Sequence, residues 1–516
     1  MSKIIQIQSY KLVALIGVVA LCTQLVGCSQ ISGMLDTVEE QVVQSDESVL
    51  TDTTSPVSQE VDAVELEIAF TTVDYDGVNY VENFADADII SYSDGDEIYI
   101  TESGVYEFSG NYNSSTIVVN VDKDIDEGIV YLLLNGVNIT SEDGTPINII
   151  EAKDVVILLV DGTDNYINQG AIVTEDTEFP SAALYSKADT VIGGSGSLTI
   201  ETAYNDGING RDDMIIENCT ITITSVGDGI VGQDYLACNN VTIDIVAGGD
   251  GMKATNVEES DKGSLIIESG TYTIDAQKDG ISAANTLQLD GGEFTVASGG
   301  GYEDILNSIT VGEGSGNTVQ PSSQLEYSMK GLKAYNIILN DGTFSISSYE
   351  DGIHADNDME INGGTYSILS GDDAVHADGL LTIHDGEITV EVCYEGIEAS
   401  TIEINGGTII VIALDDAVNG GTSDGTVTIN GGSCYLYSRG DGLDANGDFI
   451  MTGGEIIFET DAIYTGGDSE LDVSGSTDIQ GGTLVDVDGN DVSTSGSQSQ
   501  GGMFSSPMQN NRTQRR

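Results

Sequence analysis

Asp351-Gly-Ile-His-Ala355 and Asp373-Ala-Val-His-Ala377 are one five-residue phrase written twice, 22 residues apart. The phrase is an acid, a small residue, an apolar residue, a variable residue and a small residue. Upstream it reads Asp206-Gly-Ile-Asn-Gly210, Asp228-Gly-Ile-Val-Gly232, Asp250-Gly-Met-Lys-Ala254 and Asp279-Gly-Ile-Ser-Ala283. Lys330-Gly-Leu-Lys-Ala334 replaces the acid, and Glu395-Gly-Ile-Glu-Ala399, Asp416-Ala-Val-Asn-Gly420 and Asp441-Gly-Leu-Asp-Ala445 follow. Self-similarity at a fixed period of this size means a solenoid, in which each repeat buries its apolar face only against its neighbours.

A second signal runs in step with the first. Asn-Gly-Gly-Thr and its variants recur at Asn362–Thr365, Asn405–Thr408 and Asn430–Ser433. The last glycine of such a turn stands nine residues before the acid in five coils, for example Gly364 to Asp373 and Gly432 to Asp441. Each coil therefore reads as three short strands: the phrase, a Thr-Ile-x-Ile strand such as Thr401–Ile404, and a strand after the Gly-Gly turn such as Thr365–Ile368. Within the phrase, Ile353 and Ala355 share parity and should point inward. The expected fold is all-β: a right-handed, single-stranded parallel β-helix with about 22 residues per coil. About eighteen coils at the strand spacing of about 4.8 Å would make a rod of roughly 85–90 Å.

The flanks read differently. Lys3, Lys11 and the short apolar run Leu12–Leu21 precede Leu25-Val-Gly-Cys28, so residues 1–28 read as a lipoprotein signal peptide with Cys28 as the lipidation site. Such a chain would hang from the outer face of a bacterial membrane by its acyl anchor. Residues 29–65 read as a flexible tether, 66–190 as irregular early coils and 489–516 as a disordered tail. Asp279 and Lys330 are 51 residues apart, so about one coil's worth of chain near 299–328 should loop out of the rod. Cys219, Cys238, Cys393 and Cys434 match no zinc spacing and read as buried single thiols.

The formal net charge of −71 on 516 residues excludes nucleic acid and anionic membrane surfaces as partners and favours divalent cations. Two roles fit a column of stacked acids. Each can cap its own turn by accepting backbone N–H bonds. Alternatively, acids about 5 Å apart repel, and Ca²⁺ with oxygen ligands relieves the repulsion. The metal-ligand candidates are Glu350, Asp351, Asp356, Asp372, Asp373, Asp378, Glu395, Asp415 and Asp416. The variable fourth position forms its own column and should face solvent. Its Lys253, Lys333, His354 and His376, with Tyr349 and Tyr394, are the carbohydrate-binding candidates, although the lysines could equally pair with the acids. No P-loop, nucleophile elbow or His-Glu-x-x-His motif is present.

The lipobox, Asp351-Gly-Ile-His-Ala-Asp356, Lys330-Gly-Leu-Lys-Ala334 and the Asn-Gly-Gly-Thr ladder together resemble the clostridial-type carbohydrate-binding domain-containing lipoproteins. Their fold is a parallel β-helix similar to Ca²⁺-dependent pectate lyases. The resemblance covers roughly 66–485. It implies binding of cell-wall polysaccharide, cellulose or polygalacturonate, with several Ca²⁺ ions, and it assigns no catalytic residue; the rod itself is expected to be a monomer. The alternative is a lyase that uses Lys253 or Lys330 as the base to remove an acidified uronate proton. A third is a surface spacer or adhesin in which Ca²⁺ only stiffens the rod.

Overall fold

The computed structural model describes residues 84, 88–93, 98–142, 144–171, 182–302, 327–460 and 469–492. The expected signal peptide with Cys28, the expected tether, most of the 299–328 insertion and the residues beyond 492 lie outside the described residues.

Among the described residues, forty short strands pair in parallel into a β-solenoid of about 14 turns, with about 24 residues per turn. At about 4.8 Å per turn the stack is about 65–70 Å long. That is fewer turns than the phrase period alone suggests, because coils outside the regular stretch are longer. Val156 and Val191, partners on adjacent coils, are 35 residues apart, whereas Ile361 and Ile383 are 22 apart.

Three parallel ladders run the length of the stack. The phrase ladder carries Ile208, Ile230, Met252, Ile281, Leu332, Ile353, Val375, Ile397 and Val418 in register. The second carries the Thr-Ile-x-Ile strands, and the third the strands that follow the Gly-Gly turn. Ile353 and Ala355 are fully buried, as their parity requires. In the third ladder Tyr272, Phe294, Phe344 and Tyr366 stack face to face inside the rod, with centroids 4.7–4.9 Å apart. Their ring spacing equals the coil spacing, so one aromatic per turn fills the interior without a gap. The hydroxyls of Tyr272 and Tyr366 donate to the carbonyls of Ser269 and Gly363 at the wall.

The stack continues across the inserted segment. Ile281 pairs with Leu332 and Phe294 with Phe344, so the coils before and after residues 299–328 are direct neighbours. The Asn turns form a ladder of their own. Asn340 donates to Asp290 at 2.6 Å, Asn362 to Asn340 at 2.9 Å and Asn430 to Asn405 at 2.9 Å. Cys219, Cys238, Cys393 and Cys434 are buried and unbridged. Burial pushes the thiols of Cys219 and Cys434 up to about 12, which leaves them in the inert protonated form.

The phrase's second residue is small because coils approach most closely there. A Cβ on Gly251 would sit 2.3 Å from Ile274 Cγ2 and 2.5 Å from the Gly280 carbonyl oxygen on the next coil. We expect Gly251→Ala to lower stability by about 1–3 kcal/mol through overpacking, seen as a lower denaturation midpoint with the far-ultraviolet β-signature retained.

Candidate functional site

The leading acid of each phrase enters a strand just after a turn, and the structure gives it one recurring task. Asp206 Oδ1 accepts the backbone N–H of Asp228 on the next coil at 2.9 Å. Asp228 accepts that of Asp250 at 2.8 Å, Asp250 that of Asp279 at 3.1 Å, and Asp279 that of Lys330 at 2.8 Å. Asp351 accepts from Asp373 at 3.2 Å, and Asp416 from Asp441 at 2.6 Å. The acid therefore caps the phrase of the following coil rather than its own turn, which couples neighbouring turns at a point where a buried amide needs a partner.

With one carboxylate oxygen so engaged, the second faces the fourth residue of the phrase. Asn209 donates to Asp206 Oδ2 at 2.9 Å. Lys253 Nζ lies 2.5 Å from Asp228 Oδ2 and 3.0 Å from Asp250 Oδ2. Lys330 pairs with Asp351, which also has His354 Nδ1 at 2.8 Å. His376 Nδ1 is 2.6 Å from Asp373 Oδ2. The two imidazoles stack with centroids 4.7 Å apart, and their outer nitrogens meet Asp356 and Asp378 at 3.1 and 3.2 Å. The fourth-position column is thus folded back over the acids. Asn209 and Val231 are buried and Lys253 is half-buried, which corrects the expectation that this column faces solvent: its polar members answer the acids beside them.

Charge along this column divides the rod. From Asp206 to Asp351 an amide, an ammonium or an imidazole answers most acids. Burial lowers the affinity of Lys253 and Lys330 for their protons, but the adjacent aspartates outweigh it and hold both ammonium groups above their ordinary value. His354 is raised in the same way: burial opposes its charge, and Asp351 and Asp356 overcome it. Burial likewise opposes the charge on Asp351, yet His354 and Lys330 hold its carboxyl well below the usual range.

Past Asp373 the compensation fails, because the phrase carries acids at both its first and fourth positions: Glu395 with Glu398, and Asp441 with Asp444. Burial, with Asp351, Asp372 and Glu398 nearby, pushes Asp373 far up. Burial and the charges of Asp373 and Glu398 push Glu395 up to about 9. Burial and neighbouring acids take Asp372 and Asp416 to about 7 and Asp444 to about 6.

Among the described residues, three groups bring ligand atoms within 4.8 Å of one another: Asp351, Asp372 and Asp373; Asp373, His376 and Glu398; and Asp416, Asp441 and Asp444. Of the residues expected to bind metal, Asp351, Asp372, Asp373 and Asp416 fall in these groups. Glu350 instead caps the N–H of Met329 at 2.7 Å. Asp356 and Asp378 lie on the outer side of the histidines, Asp415 interacts with Tyr394, and Glu395 accepts from Asn419 at 2.9 Å. The metal-ligand candidates read from the sequence omitted Glu398, Asp441 and Asp444, whose signal was available: an acid in both the first and the fourth place of one phrase. Tyr349 and Tyr394 are half-buried at bends, and Lys333 contacts Ser328 at 3.4 Å.

A family model described as carbohydrate-binding domain-containing protein matches residues 94–374 and again 370–500. A carbohydrate-binding domain-containing protein of Acetivibrio thermocellus is 45% identical over 184 residues, which is 35% of this chain and 63% of that relative. A solved structure described as the polysaccharide lyase-like protein from C. thermocellum, a gadolinium derivative, is similar with 33% identity. That similarity covers 41% of this chain and 91% of the other, with a TM-score of 0.39.

The electrostatics predict the pH response of the ion-free protein. Asp372, Glu395, Asp416 and Asp444 hold their protons to higher pH folded than unfolded, where carboxyls titrate near 4. The folded state then binds more protons, so stability falls as pH rises from about 4, where the unfolded carboxyls titrate, to about 9. The raised His354 works in the same direction, and the lowered Asp351 the opposite way, in the acid range as pH falls. Calorimetry in chelator should therefore show Tm falling steadily from pH 5 to pH 9; a flat or rising profile would contradict the compensation described.

Proposed function

The chain belongs to the carbohydrate-binding domain-containing protein family, and we propose from that starting point that it is a polysaccharide-binding rod stiffened by Ca²⁺ rather than a lyase. The observation that carries this reading is the pairing of Lys253 and Lys330. The Lys253 ammonium lies between Asp228 and Asp250, the Lys330 ammonium pairs with Asp351, and both are held charged, whereas a general base must be free to take a proton. The matched family supports binding; the choice among cell-wall polymers, cellulose or polygalacturonate, extends it. Cys28 would anchor the rod to the outer face of a bacterial membrane, with the tether setting its reach.

The donor set of Asp416, Asp441 and Asp444 suits Ca²⁺, being all carboxylate oxygen with several acids and few countercharges. Asp351, Asp372 and Asp373 offer a second oxygen-only set, already partly neutralised by Lys330 and His354. Bound there, the ion would supply charge compensation between stacked coils. No chemical step is assigned to it.

The test is a pull-down on insoluble cellulose and immobilised polygalacturonate, with the soluble fraction assayed for ultraviolet-absorbing unsaturated uronate. Retention without product is expected; appearance of product would establish the lyase, and no retention on any polysaccharide would leave the spacer. Ca²⁺ at pH 8 should raise Tm of the wild type. Asp444→Asn should lose most of that rise while keeping the chelated Tm within a few degrees, because it removes a ligand and a repulsive charge together. An undiminished Ca²⁺ response in this variant would remove the Asp416, Asp441 and Asp444 site.

A further inference from the structure

The outer surface of the third ladder is unlike the rest of this acidic chain. Its middle outward position, read coil by coil in register, is Thr199, Thr222, Asp244, Thr273, Thr295, Ser345, Ser367 and Thr389. Seven of these eight are hydroxyl residues, and the column beside it is similar, with Thr220, Thr242, Thr271 and Thr343 exposed. The column repeats at about 4.8 Å along the rod for about 34 Å, and the two columns lie two residues apart, about 6.6 Å. It stops at Ile410, which takes the next place in register and is buried.

We propose that this hydroxyl face is the docking surface for a neutral, extended polysaccharide laid along the rod axis, an inference that rests on the polysaccharide-binding reading above. Among the described residues, Thr199, Thr222, Thr273 and Thr295 make no side-chain hydrogen bond within the protein, so their donors and acceptors are available to a ligand. Threonine is stiff at χ1, and the strands beneath are fixed on both sides by the ladder, so little ordering cost falls on binding. A chain of sugar rings presents hydroxyls at a spacing close to the coil repeat and can be met once per turn.

The charge pattern selects the occupant. The face bears acids at Glu201, Asp244, Asp275, Glu293 and Glu387 and no base among these columns, within a chain of net charge −71. A polyanion is repelled there unless ions intervene, whereas a neutral hydroxylated polymer is not. Val246 is the one large apolar side chain exposed in these strands, and no aromatic anchor accompanies it, so the surface lacks what a protein partner requires. The rod thus separates two chemistries: cations belong to the phrase ladder, and uncharged sugar to the hydroxyl ladder.

The test compares the full chain with a triple variant, Thr222→Val, Thr273→Val and Thr295→Val, which keeps side-chain shape and strand preference while deleting the hydroxyls. A second triple, with Asp at the same three positions, adds charge to the face. Adsorption isotherms on microcrystalline cellulose should weaken by roughly tenfold or more in both variants, the sum of three modest hydrogen bonds. Retention on polygalacturonate in Ca²⁺ and the Tm of the valine variant should stay at wild-type values. If the aspartate variant unfolds, the valine variant alone decides. Full cellulose retention by the valine variant overturns the proposal. Wild-type retention on polygalacturonate but not on cellulose overturns it while leaving the function reading standing, and retention on neither polymer overturns both.

Discussion

At the head of six phrases the chain leaves a turn and enters a strand with its amide pointing back at the preceding coil. A carboxylate of that coil accepts it. This inter-coil bond is made by Asp206, Asp228, Asp250, Asp279, Asp351 and Asp416 in turn, and the rest of the rod follows from it. It places acids one above another at the coil spacing, so a solenoid that satisfies its backbone this way accumulates charge along a single line. A neutral cap such as Asn could accept the same bond, but the second oxygen of a carboxylate leaves a site for Lys253, Lys330, His354 or a cation.

How that charge is met divides the molecule along its length. From Asp206 to Asp351, where Asn209, Lys253, Lys330 and His354 answer them, most acids of the ladder are compensated, and its basic residues serve that task. Where the fourth residue is Glu398 or Asp444, acids face acids, and protons or divalent ions must do what side chains do further up. The same feature argues against catalysis by Lys253 or Lys330 and for ions near Asp416. Both proposals rest on one electrostatic balance, since a lysine that neutralises a buried acid cannot also be a free base.

The inside of the rod and its third face obey simpler rules. Rings of Tyr272, Phe294, Phe344 and Tyr366 stack because parallel coils put equivalent positions one strand spacing apart, which is near the contact distance of aromatic rings. The same periodicity, applied outward, turns a recurring Thr into a column of hydroxyls. An ordinary globular surface would scatter those residues; a solenoid lines them up.

The legible part of this protein was whatever depends on period and parity. The 22-residue recurrence of Asp351-Gly-Ile-His-Ala355 determined a parallel β-helix, the inward Ile353 and Ala355, and the stacking of His354 on His376. It also put the acids in a column, because residues one period apart must be neighbours. Direction in space was left to the tertiary structure. Only there does Asp351 reach forward to cap Asp373, does the fourth-position column fold back over the acids, and do Asp441 and Asp444 join Asp416 across a coil boundary. The reason is physical: a linear repeat specifies which residues are stacked, while the way each side chain turns is decided by the unpaired amides and charges around it.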